Sequence, residues 1–300
     1  MNNRGNLSTE RINPESENLD QLTTLDAVDL FAAEDRRAVE AVAAAREEIA
    51  YAIDLIAYQL AHGGRLFYVG AGTSGRLGVL DASELPPTFQ THPQQTQALI
   101  AGGVQALTQA IEGAEDSADQ GSVDMAACHP NPQDAVMGIS AGGTTAYVRG
   151  ALSAARQGGA KTLFFACVPR SEVEDSWDHS IRVVTGPEIL AGSTRLKAGT
   201  ATKLVLNTIS TMVQVRLGRV HGNRMVDLNT TANHKLVDRA IRIVEDLAHV
   251  DRDRATSLLH EASGRVKIAV LLGAKGVTLT GAEVALATAR GNLRQALANG

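Results

Sequence analysis

The residues best suited to chemistry in this sequence are small, hydroxylated and acidic. "GAGTSG" occupies residues 70–75, "SAGGTT" residues 140–145 and "GPEILAGSTR" residues 186–195. Each run follows an apolar, strand-like stretch and leads into a helical pattern. Backbone N–H groups at a helix start favour an anion, and Ser or Thr hydroxyls donate to phosphate oxygens. Gly72, Thr73, Ser74, Ser140, Gly142, Thr144, Thr145, Ser193 and Thr194 are therefore the candidate cradle for a phosphorylated small molecule. Any one of these runs reads equally well as an ordinary helix cap. Their recurrence is what favours a ligand.

Two acids accompany the runs. Glu84 lies in "LDASELPP", where Pro86 and Pro87 are expected to end the helix and hold the carboxyl in place. Glu115 lies in "AIEGAEDS", where Gly113 is expected to break a helix after the second strand. Carboxyls in different environments can divide the work, one donating and the other accepting a proton. By pattern alone Glu112, Asp116 and Asp81 are equally eligible, and a solvated acid is the plain alternative. Arg76, Arg195 and Lys197 are candidates to hold an anion, each equally readable as a surface charge. His221 reads as structural or partner-facing, and Trp177 and Tyr68 as packing residues.

Other chemistries fit poorly. Gly70, Gly72 and Gly75 satisfy G-x-G-x-x-G, but the next strand runs into "IAGG" without the acid that holds a ribose. No Gly-Lys-Ser/Thr follows, so Walker A fails too. The 8 histidines and 2 cysteines (Cys128 and Cys167) show no metal-binding spacing, so neither a metal nor a cofactor is expected. Net charge is −5 with dispersed Arg and Lys, which argues against nucleic acid. No run is apolar enough to span a membrane and "MNNRGNLSTERINPESENLD" lacks a signal core, so the cytoplasm is the expected compartment.

The elements that must position these residues follow from periodicity. The polar N-terminus is expected to be extended, and one long helix is expected over 26–60, ended by Gly63 and Gly64. Strands are expected at 65–70, 96–103, 134–140, 161–168 and 180–186, with a helix over 104–116 after the second. This alternation predicts an α/β fold with a doubly wound, mostly parallel five-stranded sheet. A helix beginning at Ser193 or Thr194 is expected to run to about 217, with only helices near 233–248, 251–262, 264–274 and 278–297 beyond. The expected division is 1–60, a core over 61–225, and a helical region over 226–300 with a three-helix appendage at about 251–297.

"TERINPES", "GAGTSGRLGVLDASELPPTF", "GISAGGTTAYV", "GPEILAGSTRLKAGTATKLVLN" and "NHKLVDRAIRIV" together resemble the N-acetylmuramic acid 6-phosphate etherase family, built on a sugar isomerase (SIS) domain. The resemblance runs from about Leu7 to Leu297. It implies a SIS fold and a lyase that cuts the lactyl ether of a sugar phosphate in cell-wall recycling, as a homodimer, without metal or nicotinamide. It places the catalytic pair on Glu84, as proton donor, and Glu115, as base. Burial is expected to raise the pKa of the donor. An aldose–ketose phosphosugar isomerase and a non-catalytic phosphosugar-binding regulator are the alternatives on the same fold.

Overall fold

The computed structural model describes residues 4–228 and 234–298, so the helix start expected at 233 lies outside the described residues. Short 3₁₀ turns at Ser8–Glu10, Pro14–Ser16 and Leu19–Gln21 replace the extended N-terminus that was expected. Asn13 begins the second of these, accepting the Glu15 N–H at 3.0 Å.

The helix expected over 26–60 is two helices, α1 (Thr24–Ala44) and α2 (Arg46–Ala61), separated at Ala45 with φ −86° and ψ 18°. A one-residue interruption leaves the apolar spacing intact, so periodicity does not register it. The two helices bury different things. Ile49, Ile53, Ile56 and Leu60 of α2 are buried, whereas α1 buries only Glu34 and Ala38.

Five strands form one parallel sheet: β1 (Leu66–Gly70), β2 (Thr96–Ile100), β3 (Ala135–Ile139), β4 (Lys161–Ala166) and β5 (His179–Arg182). Their order is β2-β1-β3-β4-β5. All of β1 and β3 is buried, as strands covered on both faces must be. The order reverses between β1 and β3, and in such sheets ligands bind beyond the carboxyl ends at that switch point.

After β1 comes α3 (Gly72–Phe89), which continues through Pro86 and Pro87 rather than stopping at them. Both prolines fall in its last turn, where each removes a donor to the carbonyl four residues back, and Gln90 N–H closes the end on the Pro86 carbonyl at 2.9 Å. The helix expected over 104–116 is absent. Short 3₁₀ turns at Gly103–Leu107 and Ala114–Asp116 stand there, entered through left-handed glycines Gly102 (φ 85°) and Gly113 (φ 74°). An unanticipated α4 (Ala118–Ala127) follows, capped by Ser117, and packs on α5 (Ala146–Gln157). The two helices approach so closely that a Cβ on Gly150 would lie 1.9 Å from the Ala118 carbonyl oxygen.

The next helix, α6 (Lys197–Arg216), begins after Ser193 and Thr194 rather than at them. By contacts the chain divides into residues 1–83 with 94–210, and residues 84–93 with 211–300. The second unit holds a small hairpin, β6 (Val220–His221) and β7 (Arg224–Met225), which sequence patterning missed. Its helices are α7 (His234–Ala248), α8 (Arg252–Glu261), α9 (Val266–Lys275), α10 (Leu279–Thr288) and α11 (Leu293–Ala298). The single helix expected over 278–297 is thus two, parted at Arg290 (φ 52°) and Gly291 (φ 80°). Every residue from Val266 to Leu272 is buried, so α9 is the centre on which α7, α8, α10 and α11 pack.

Candidate active site

Three strand-to-helix junctions stand at the carboxyl ends of the sheet. At the first, Gly72 takes φ +53°, which a side chain would disfavour, and Thr73 and Ser74 occupy the first turn of α3, half-buried. A Cβ on Gly75 would meet Ile100 Cγ1 at 2.6 Å and the Gly70 carbonyl oxygen at 2.9 Å. The last glycine of the run therefore serves close helix–strand packing. Arg76, a candidate anion holder, donates instead to the Leu107 and Gln109 carbonyls at 3.1 and 3.0 Å. It fixes the loop that leads to Glu115.

At the second junction Ser140 is buried, with its Oγ 2.8 Å from Thr145 Oγ1 and accepting the Thr145 N–H at 3.3 Å. Gly142 and Thr144 are half-buried between them. Gly143 (φ +76°) turns the chain against Val173, and its carbonyl accepts from Arg149 Nη2 at 3.0 Å.

The third junction differs. The carboxylate of Glu188, itself buried, accepts the backbone N–H groups of Lys197 and Ala198 at 2.9 Å each. The start of α6 already holds an anion belonging to the chain. Burial raises the Glu188 carboxyl above its ordinary range, against the two backbone donors that lower it. Lys197, another candidate holder, is buried and ion-paired with Glu34. Ser193 and Thr194 are half-buried in the loop before α6, and Arg195 is exposed.

The first and third junctions meet, since a Cβ on Gly199 would lie 3.5 Å from Thr73 Cγ2. Beneath them a buried cluster ties three elements together. Asp81 of α3 accepts from Tyr68 Oη of β1 at 3.0 Å, and from Asn207 Nδ2 and Ser210 Oγ of α6 at 2.7 and 3.0 Å. Burial raises the Asp81 carboxyl, and the same burial raises the Tyr68 phenol well above its ordinary value. Tyr68 is thus a hydrogen-bonding residue as well as a packing one. Trp177 stacks under Arg156, 4.6 Å from guanidinium to ring centroid.

Glu115 is exposed in the turn Ala114–Asp116, and that turn packs on α5, the helix of the second junction. Glu84 is exposed on α3, in the stretch that belongs to the second unit, so the burial expected of it is not found in the single chain. His221 sits on β6, where burial and then the charges of Arg294 and Arg224 lower its pKa. Among the described residues no group of His, Cys, Asp and Glu is placed to hold a metal ion, and no single helix is long and apolar enough to cross a membrane.

Sequence reasoning missed Glu188, Glu34 and the N-terminal 3₁₀ turns. Glu188 had a signal, an acid directly after Gly186-Pro187 and before a helix. Glu34 had none, because its buried partners, Asn13 and Lys197, are remote in sequence.

The doubly wound sheet, with glycine and hydroxyl junctions at its carboxyl edge, defines an α/β domain of the kind that binds a ligand beside a switch point. A family model for the glucokinase regulatory protein N-terminal SIS domain matches residues 48–156. The curated N-acetylmuramic acid 6-phosphate etherase of a Picosynechococcus species is 55% identical over 98% of this chain and 97% of its own. That of Trichormus variabilis is 54% identical over 100% of this chain and 97% of its own. Among solved structures, the phosphoheptose isomerase GmhA from Neisseria gonorrhoeae is 20% identical, covers 64% of this chain and 100% of its own, and has a TM-score of 0.47. The chain belongs to the N-acetylmuramic acid 6-phosphate etherase family.

Proposed function

We propose that this chain is a carbon–oxygen lyase. It cleaves the D-lactyl ether of N-acetylmuramic acid 6-phosphate to N-acetylglucosamine 6-phosphate and D-lactate, in the recycling of cell-wall amino sugars. The observation that carries this reading is identity of 55% to an etherase over 98% of the chain.

In the reaction, ring opening exposes a C1 aldehyde that acidifies the C2 proton. Glu115 takes that proton, and the C3–oxygen bond breaks as C2=C3 forms. Glu84 protonates the departing lactate oxygen, because an alkoxide leaves poorly. Water then adds, its hydroxyl to C3 and a proton to C2, and the ring closes. The phosphate is remote from C2 and C3, so its binding energy serves to position them. Gly72, Thr73 and Ser74 with Ser140, Gly142, Thr144 and Thr145 hold the phosphate. Because Glu188 occupies the start of α6, Ser193 and Thr194 are assigned to sugar hydroxyls rather than to the anion.

A homodimer is part of the proposal. Leu25, Val28, Phe31 and Val39 of α1 and Tyr51 and Tyr58 of α2 are exposed, and a second copy is the cover proposed for them. The cytoplasm is proposed as the compartment, since a phosphorylated sugar does not cross a bilayer unaided. The test is to supply N-acetylmuramic acid 6-phosphate and measure lactate. Wild type releases it, and Glu84→Gln and Glu115→Gln each lose about 10²-fold or more in kcat. Ketose formation without lactate would make the chain an isomerase, and binding without turnover would make it a regulator.

A further inference from the structure

The chain from Leu7 to Ser16 is a strap lying across two of the junctions. Its first pin is Leu7, buried in the same core as Val168 and Val173, with the Ser8 N–H donating to Glu172 Oε2 at 2.8 Å. Arg11 Nη2 reaches the other oxygen of Glu172 at 3.2 Å. Its second pin is Asn13, whose Nδ2 donates to Glu34 Oε2 at 2.9 Å, and Ser16, whose Oγ donates to the Ile189 carbonyl at 2.7 Å.

Between the pins the strap faces the glycine runs. A Cβ on Gly142 would lie 3.7 Å from Leu7 Cδ1 and 3.8 Å from Thr9 Oγ1, and a Cβ on Gly192 would lie 2.9 Å from Glu10 Oε2. Thr9 is wholly buried, yet its Oγ1 has no hydrogen-bond partner among the described residues. A buried hydroxyl left unpaired costs free energy comparable to a lost hydrogen bond, so such groups are normally satisfied. This one adjoins a turn bearing Ser140, Thr144 and Thr145. Its neighbour in sequence, Glu10, is a carboxylate against the third junction, where Glu188 already lies. Two carboxylates there disfavour a phosphate, whereas the second junction carries hydroxyls.

We propose that Thr9 is a substrate-binding residue: its hydroxyl donates to a phosphate oxygen of the bound phosphosugar at the Ser140–Thr145 turn. The strap thereby closes the second junction over the anion. This deepens the function proposed above and rests on it for the sugar, but not for the phosphate.

The experiment is calorimetric titration of the full chain with N-acetylglucosamine 6-phosphate and, separately, with inorganic phosphate. Thr9→Val keeps the shape and removes the donor. It is expected to weaken both ligands about tenfold or more, as loss of a hydrogen bond to a charged group does. Its melting temperature should be no lower than wild type, because the hydroxyl has no partner to lose among the described residues. Thr9→Ser retains the donor and should recover most of the affinity. Equal binding by wild type and Thr9→Val overturns the inference, as does equal weakening by Val and Ser. A loss confined to the sugar phosphate would overturn the phosphate assignment. If wild type released no lactate while Thr9→Val still weakened inorganic phosphate, the etherase reading would fail and this one would stand.

Discussion

Removing the charge of Glu34 is the sharpest probe of how the third junction is held. Glu34 and Lys197 are ion-paired with side-chain exposures of 2% and 3%, and Glu34 also accepts from Asn13. Glu34→Gln removes the carboxylate that touches the ammonium, in a site closed to water. Breaking such a pair from one side costs about 3–5 kcal/mol. For a chain of 300 residues about 3 kcal/mol lowers the melting temperature by roughly 5 °C. Lys197→Met should cost less, because Glu34 retains Arg37 Nη1 at 2.6 Å. The double variant Glu34→Gln with Lys197→Met, which keeps an acceptor for Asn13, should return to within about 1 kcal/mol of wild type. Thermal and urea denaturation of the four proteins gives the cycle. A Glu34→Gln cost below about 1 kcal/mol refutes the reasoning. So would a Lys197→Met protein of normal stability whose KM for the phosphosugar rose about tenfold, since Lys197 would then be holding substrate.

The Asp81 cluster gives a pH signature. Burial raises its carboxyl above the ordinary 3.8, so between that value and the raised one the native state keeps a proton the unfolded chain has lost. The group's stabilisation is full below 3.8 and is lost as pH rises through the raised value. Asp81→Asn can keep the same geometry with Tyr68 Oη accepting, so its melting temperature should gain on wild type as pH rises through that window; a constant difference would count against the assignment. In the second unit Lys267 is paired with Asp227 at side-chain exposures of 8% and 24%. Asp227→Asn should cost about 3 kcal/mol in urea denaturation and Lys267→Met much less; equal costs would argue against an uncompensated buried charge.

The sheet was legible because its strands are short apolar runs bounded by glycine, and each begins within a residue of its expected place, although β2 and β5 end three and four residues early. The junction glycines were legible for the same reason. What periodicity could not supply was interruption without a change of pattern, as at Ala45 and at Arg290. It also over-read residues 104–116, where Val104, Leu107 and Ile111 have helical spacing but Val104 is 84% exposed. The prolines misled in the opposite direction, since α3 carries both and ends only after them, at Phe89. At the site, the acids and hydroxyls could be named, but which oxygen faces which donor is set by residues remote in sequence. Glu188 against α6 and Thr9 against Gly142 are visible only once the chain has folded.

The strap also sets an order of events during synthesis. Ser8 and Glu172 are separated by 164 positions, and Ser16 and Ile189 by 173. At about 5–20 residues per second the ribosome needs roughly 8–35 s after the strap emerges to produce what it docks on. The strap leaves the exit tunnel well before its docking partners and is therefore among the last segments to be seated, so a bulky insertion next to it would delay ligand competence rather than assembly of the sheet.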